Sequence, residues 1–334
     1  MYVNPVQNQI YHTRMLPVRR LRLLLPSQQS VKSSLMLLSY VASLSFAGVI
    51  TGKVITTIIS PHTDLLFDQF HHRQHQSEDN PENRTRILCW VLATSEKREN
   101  ALAVKKTWGK RCDKLMIVSD AADADLGSVQ VKTYLQNGKE VLWLKTRETF
   151  KHLFDRHLQD FDWFFKADVD TYVIVENLRY VLTPYDPNFP IALGERAHVD
   201  GNTNYSFLSG GAGYVLSRAA LKIFGEVAYP ETNPCHERAI ANEDVMMGHC
   251  MTESGIMLGD TRDELGRHRF YHNKPEDYIE GKWRKWFPLM MKYRYDKGIN
   301  SLSDTTISFH TLKNATSLYL FESLIYEVKV SSCD

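Results

Sequence analysis

From residue 87 onward the chain alternates short apolar runs with stretches of helical spacing. Residues 87–93 form a continuous apolar run closed by Thr94 and Ser95, with a helix expected over about 97–108. A second strand is predicted at 115–118, closed by Ser119 and Asp120, and a third at 141–144 behind the turn Asn137-Gly138. A helix over about 147–158 places Phe150, Leu153, Phe154, His157 and Leu158 on one face, where His157 reads as a packed residue. Residues 163–167 form a strand that ends abruptly in Asp168 and Asp170, and a helix over about 175–182 stops before Pro184. Three glycines within 209–217 lead to a strand and a helix capped by Ser217; Asn242 stands at the start of another helix, and 307–311 is a short strand-like piece. Strands alternating with helices predict an α/β fold with a mostly parallel central sheet flanked by helices.

The first 63 residues break this pattern: they contain no Asp or Glu, carry Arg14, Arg19, Arg20, Arg22 and Lys32, and run without formal charge from 33 to 52. Such a run meets the roughly 20 residues needed to cross a bilayer, and it starts too late and runs too long for a signal peptide. The basic flank keeps the N-terminus cytosolic. The expected organisation is a cytosolic tail (1–32), a transmembrane signal-anchor (33–60), a stem (61–85) and a lumenal domain (86–334). The stem is rich in His, Gln, Asp and Asn, and reads as a solvated linker.

Composition adds little: 334 residues, 43% hydrophobic, 24% charged and a net charge of +1 allow a large core and give no reason to expect nucleic acid. Sequons at Asn83, Asn204 and Asn314 agree with a lumenal domain. Five cysteines allow two disulfides and a leftover thiol in an oxidising compartment, and no C-x-x-C points to zinc.

The candidate chemistry begins at Asp168-Val169-Asp170. In extended backbone residues i and i+2 share a face, and two hard oxygens suit Mg or Mn. At the carboxyl end of a strand in an α/β sheet, that pair sits where ligands collect. The Ser209-Gly210-Gly211-Ala212-Gly213 turn reads either as a tight turn or as backbone approaching a ligand, and it has neither P-loop nor Rossmann spacing. Glu243 and Asp244 read either as first-turn acids suited to a helix dipole or as a general base. His310 alone would be structural.

In this order, the motifs at 86–91, Thr107-Trp108 with Arg111-Cys112, 162–173, 209–217, Glu243-Asp244, 259–263 and 308–310 resemble the core 1 β1,3-galactosyltransferases (T-synthases), of the inverting β1,3-glycosyltransferase family that includes the Fringe enzymes. The resemblance covers about 86–330. It implies a GT-A type nucleotide-sugar domain, Mn2+, UDP-galactose as donor, and a glycoprotein bearing O-linked GalNAc as acceptor. By it Asp168, Asp170 and His310 are metal ligands, and Asp244 is the catalytic base with Glu243 the near alternative. Thr94, Ser95, Asn137, Gly138, Lys139, Lys145, Asp168, Gly210, Gly211, His310 and Thr311 fall where the family binds the UDP-sugar. Trp286 or Trp283 would stack on the acceptor, and Cys89–Cys112 and Cys235–Cys250 look like the family's disulfides. The resemblance also implies a single-pass type II protein of the Golgi or ER-Golgi membrane, and leans towards a homodimer, for which Cys333 would be free.

The chain departs from that pattern in three places. Val169 replaces an Asp whose side chain points away from the metal face. Asn137-Gly138-Lys139 stands for Glu-Gly-Arg and loses the bidentate fork of Arg. The aromatic segment 283–295 is altered, with Ser301-Leu302 in place of Cys-Cys. Two alternatives follow: a non-catalytic, chaperone-like paralogue, or a β1,3-glycosyltransferase with another acceptor.

Overall fold

β1 (Ile87–Ala93) is apolar on both faces because both faces are covered. Ile87, Cys89 and Val91 join one core cluster with Trp163 and Phe165, while Leu88 and Trp90 join another with Phe164 and Leu216. The computed structural model describes residues 84–131, 139–199, 202–230, 235 and 242–329. The predicted tail, the anchor and residues 61–83 of the stem, together with Asn137, Gly138 and Cys333, lie outside the described residues. No helix among the described residues is long and apolar enough to cross a membrane.

After β1 come α1 (Arg98–Lys106), β2 (Lys114–Ser119), α2 (Lys139–His157), β3 (Trp163–Asp168), β4 (Tyr172–Val173) and α3 (Val175–Leu182). The chain continues through β5 (Ile191–Gly194), the hairpin β6 (Arg196–Val199) and β7 (Asn202–Leu208), β8 (Tyr214–Ser217) and α4 (Arg218–Ile223). It ends with α5 (Glu243–Glu253), β9 (Met257–Leu258), β10 (Phe270–Tyr271), α6 (Pro275–Glu280), α7 (Phe287–Met290), β11 (Ser308–Phe309) and α8 (Ala315–Glu322). Ser217 caps α4 as its sequence suggests, its hydroxyl accepting from Ala220 N at 3.0 Å. Asn242 occupies the N-cap position of α5 without a side-chain cap bond.

Two expectations need correction. Residues 141–144 lie inside α2 and are not a strand. The central sheet, ordered β2-β1-β3-β8-β5-β9, is mixed: β2, β1 and β3 run parallel, β8 is antiparallel to both β3 and β5, and β5 and β9 are parallel. The reversal follows from the connection, since β8 arrives through the β6–β7 hairpin and the glycine turn and not through a helical crossover.

A second sheet, β10-β11-β4, sets the site. Phe309 pairs with Tyr172 antiparallel, which brings His310 alongside Asp170 from the far end of the sequence. Disulfides join Cys89 to Cys112 and Cys235 to Cys250.

Candidate active site

The alternation of β3 places Phe164, Lys166 and Asp168 on one face. Lys166 is 1% exposed, and its ammonium lies 3.2 Å from Asp168 Oδ1 and 3.1 Å from Glu243 Oε2. Sequence reasoning missed it, although the same two-residue period that paired Asp168 with Asp170 puts Lys166 on their side. Burial alone would lower its pKa; the carboxylates of Asp168 and Glu243 outweigh that and hold it above the usual lysine value.

Asp168, Asp170 and His310 converge. His310 Nε2 is 3.3 Å from Asp170 Oδ1 and 3.8 Å from Asp168 Oδ2, and one donor atom from each residue lies within 4.8 Å of the others. His310 Nδ1–H donates to the His272 carbonyl at 2.9 Å, which leaves Nε2 facing the carboxylates: protonated, it donates to Asp170; deprotonated, it offers a lone pair. Burial opposes ionisation of Asp170, yet the hydrogen bond and charge of His310 hold its carboxyl below the usual range. Burial likewise opposes charge on His310, and the two aspartates raise its pKa above the ordinary value. Two carboxylates and an imidazole form an O,O,N donor set that suits a divalent cation.

The backbone beyond His310 is strained: Thr311 has φ 62°, a left-handed conformation rare for a β-branched residue. The bend returns the chain, so that Leu312 N–H donates to the Asp170 carbonyl at 3.0 Å.

The pair opens onto a cleft of about 530 Å³ lined by Thr94, Ser95, Asp120, Lys145, Asp168 and Asp170. Thr94, Ser95 and Lys145 thus line the same cleft as the two aspartates. Asp120 and Leu142 are additional lining residues, and Leu142 reaches the cleft because 141–144 is helical. Lys139 opens α2, while the side chain lies outside the description.

The glycine turn does two jobs. Gly213, at φ +87°, makes the bend. A Cβ on Gly211 would stand 2.4 Å from the His310 ring, and one on Gly210 would stand 2.8 Å from Glu243 Oε2, so these two glycines admit site side chains.

Adjacent acids are separated by their surroundings. Glu243 is 4% exposed, with its oxygens engaged by Lys166 Nζ and, at 3.0 Å, by the Tyr214 hydroxyl. Asp244 is less enclosed, and accepts from Gly210 N at 3.2 Å and Val245 N at 2.9 Å. Burial raises both carboxyl groups above their ordinary values. Trp283 packs against Tyr278 and Tyr295, whereas Trp286 is 46% exposed and follows directly into Phe287, whose ring lies 5.7 Å from that of His272.

The relatives make the chain a glycosyltransferase. The model of Fringe-like proteins matches residues 87–324, and the chain belongs to that family. It is 33% identical over 265 residues to glycoprotein-N-acetylgalactosamine 3-beta-galactosyltransferase 1 of Xenopus laevis, covering 76% of this chain and 71% of that protein. A beta-1,3-glucosyltransferase of Mus musculus is 27% identical over 176 residues, 52% of this chain and 33% of that protein. A solved structure of the galactosyltransferase LgtC with donor and acceptor sugar analogues overlaps at a TM-score of 0.43 and 11% identity, over 72% of this chain and 97% of that one. A likeness that loose carries no argument about ligands.

Proposed function

We propose that the protein is an inverting, Mn2+-dependent β1,3-galactosyltransferase of GT-A type, moving galactose from UDP-galactose to the 3-hydroxyl of GalNAc α-linked to Ser or Thr of a glycoprotein. The observation that carries this reading is the convergence of Asp168, Asp170 and His310 at the mouth of a cleft lined by Thr94, Ser95 and Lys145. A cation held by those three residues would offset the charge developing on the departing diphosphate. Asp244 is the base: its carboxylate accepts the proton of the attacking hydroxyl, and attack opposite the leaving group inverts the anomeric centre. Glu243 is bound into the Lys166–Tyr214 cluster and holds the start of α5 in place. Trp286 offers the exposed ring for the acceptor sugar. The basic, uncharged and polar N-terminal segments support a type II Golgi anchor.

Purified protein with Mn2+ is expected to transfer galactose from UDP-galactose to a GalNAc-peptide, and Asp170→Ala to lose transfer while its melting temperature holds. No transfer to any acceptor, with no Mn2+-dependent UDP binding, would favour the chaperone-like reading. Trp283 is half-buried and engaged by Tyr278 and Tyr295, which leaves Trp286 as the more exposed ring and favours testing other acceptors in parallel. Transfer to a different glycan would keep the chemistry and change the acceptor.

A further inference from the structure

Behind His310 lies a buried network that the reaction does not call on directly. Glu195, immediately after β5, is 2% exposed; its Oε1 accepts from His272 N at 3.4 Å, and its Oε2 has no hydrogen-bond partner among the described residues. The Glu195 backbone carbonyl accepts from Ser209 N at 2.8 Å. Ser209 Oγ is in turn hydrogen-bonded to His272 Nδ1 at 2.7 Å. His272 returns to the site twice: its carbonyl takes the Nδ1–H of His310, and the two rings meet edge-on with centroids 5.2 Å apart.

The same Ser209 begins the glycine turn. Its hydroxyl accepts from Ala212 N at 3.4 Å, and the next residue, Gly210, donates its N–H to Asp244. Gly211 lies against the His310 imidazole, where a Cβ would collide. His310 is therefore held by the glycine turn and by His272; the turn is tied to the Glu195 backbone carbonyl, and His272 to the Glu195 side chain. An interior carboxylate with one oxygen unpartnered is costly, and a leucine of similar volume would pack there more cheaply. The cost is accounted for if the carboxyl group fixes His272, the residue whose carbonyl holds His310.

We propose that Glu195, Ser209 and His272 form a positioning unit that fixes the His310 ring and ties it to the turn holding Asp244. This rests on the reading of Asp168, Asp170 and His310 as a divalent-cation site. None of the three touches the cation or the sugars. They act through His310, by setting the direction of its Nε2, and outer partners of this kind typically govern metal affinity by about 10- to 100-fold.

The test is a Mn2+ titration of the purified full-length chain in the presence of UDP, read by the electron paramagnetic resonance of free Mn2+. Glu195→Ala is expected to weaken Mn2+ binding about tenfold or more, and Ser209→Ala, which removes one hydroxyl, by several-fold. Burial pushes the Glu195 carboxyl up to about 8, so glutamine is its neutral mimic near pH 7, and the amide oxygen still accepts from His272 N. Glu195→Gln is therefore expected to restore Mn2+ affinity. Transfer by Glu195→Ala should recover as Mn2+ is raised, a rescue that loss of folded protein would not show. Equal Mn2+ affinity in wild type, Glu195→Ala and Ser209→Ala overturns the positioning unit alone. Weakening in Glu195→Gln as severe as in Glu195→Ala overturns it too. A wild-type chain that takes up no Mn2+ overturns the metal reading and the proposal with it.

Discussion

At the scale of single residues, two neighbouring acids acquire different chemistry from their partners. Glu243 is locked to Lys166 and Tyr214, whereas Asp244 keeps access to the site and is held by two backbone N–H groups. Asp244→Asn is expected to lower kcat on the order of a hundred- to ten-thousand-fold with UDP binding retained, measured by galactose transfer and calorimetry. Burial raises the Asp244 pKa, and the base works only when ionised. The rate should therefore rise with pH through that raised value, and the acid limb of kcat/KM should lie above the ordinary range of an aspartate. Lys166→Met removes the cation from a buried cluster and strands Glu243. It should cost about 3–5 kcal/mol at neutral pH, measured by urea unfolding, with a smaller loss in acid where Glu243 is protonated. The Asp168–Asp170 pair is legible in sequence because strand alternation is local. Glu195 is not, because its partner His272 lies 77 residues away and a Glu after a short apolar run looks like any surface acid.

At the scale of elements, local patterns located most strands and helices, and failed where two periods agree. Residues 141–144 satisfy a short buried strand, yet Trp143, Arg147, Phe150 and Phe154 continue at helical spacing, and the longer period wins because α2 buries Trp143, Phe150 and Leu153 in one core with Trp90 and Phe164. The reversed β8 was hidden for another reason: strand direction depends on the path of the preceding connection, which a four-residue apolar run does not encode. The Cys89–Cys112 bridge ties β1 to the segment before β2 across 23 residues. Replacing both cysteines with alanine should lower stability by about 2–4 kcal/mol, mainly by freeing the unfolded chain. Denaturant melts should show the drop, with Mn2+ affinity preserved because neither cysteine is near the donor set.

At the scale of the whole molecule, α8 is tied back to the strands that carry the site. Glu322, 4% exposed at the end of α8, accepts from both guanidinium arms of Arg111 at 2.8 and 2.9 Å and from the Tyr172 hydroxyl at 2.7 Å. Tyr172 lies two residues beyond Asp170 and pairs with Phe309, the neighbour of His310. One carboxylate therefore joins the C-terminal helix to both arms of the donor set. Burial opposes its ionisation, but Arg111, Lys110 and Tyr172 hold its pKa down at about 2. A depressed folded pKa gives stability that is present above the ordinary glutamate value and is lost as pH falls towards about 2. Glu322→Ala should cost about 3 kcal/mol at neutral pH, because it removes the bidentate partner of a largely buried guanidinium and leaves it the longer contact to Glu176 at 3.5 Å, and should flatten the acid dependence between about pH 4.5 and 2. Thermal melts across pH would show both effects. If α8 also keeps Asp170 and His310 in register, the variant should need more Mn2+ for half-maximal transfer, whereas an unchanged Mn2+ requirement beside the lower stability would confine Glu322 to holding the fold.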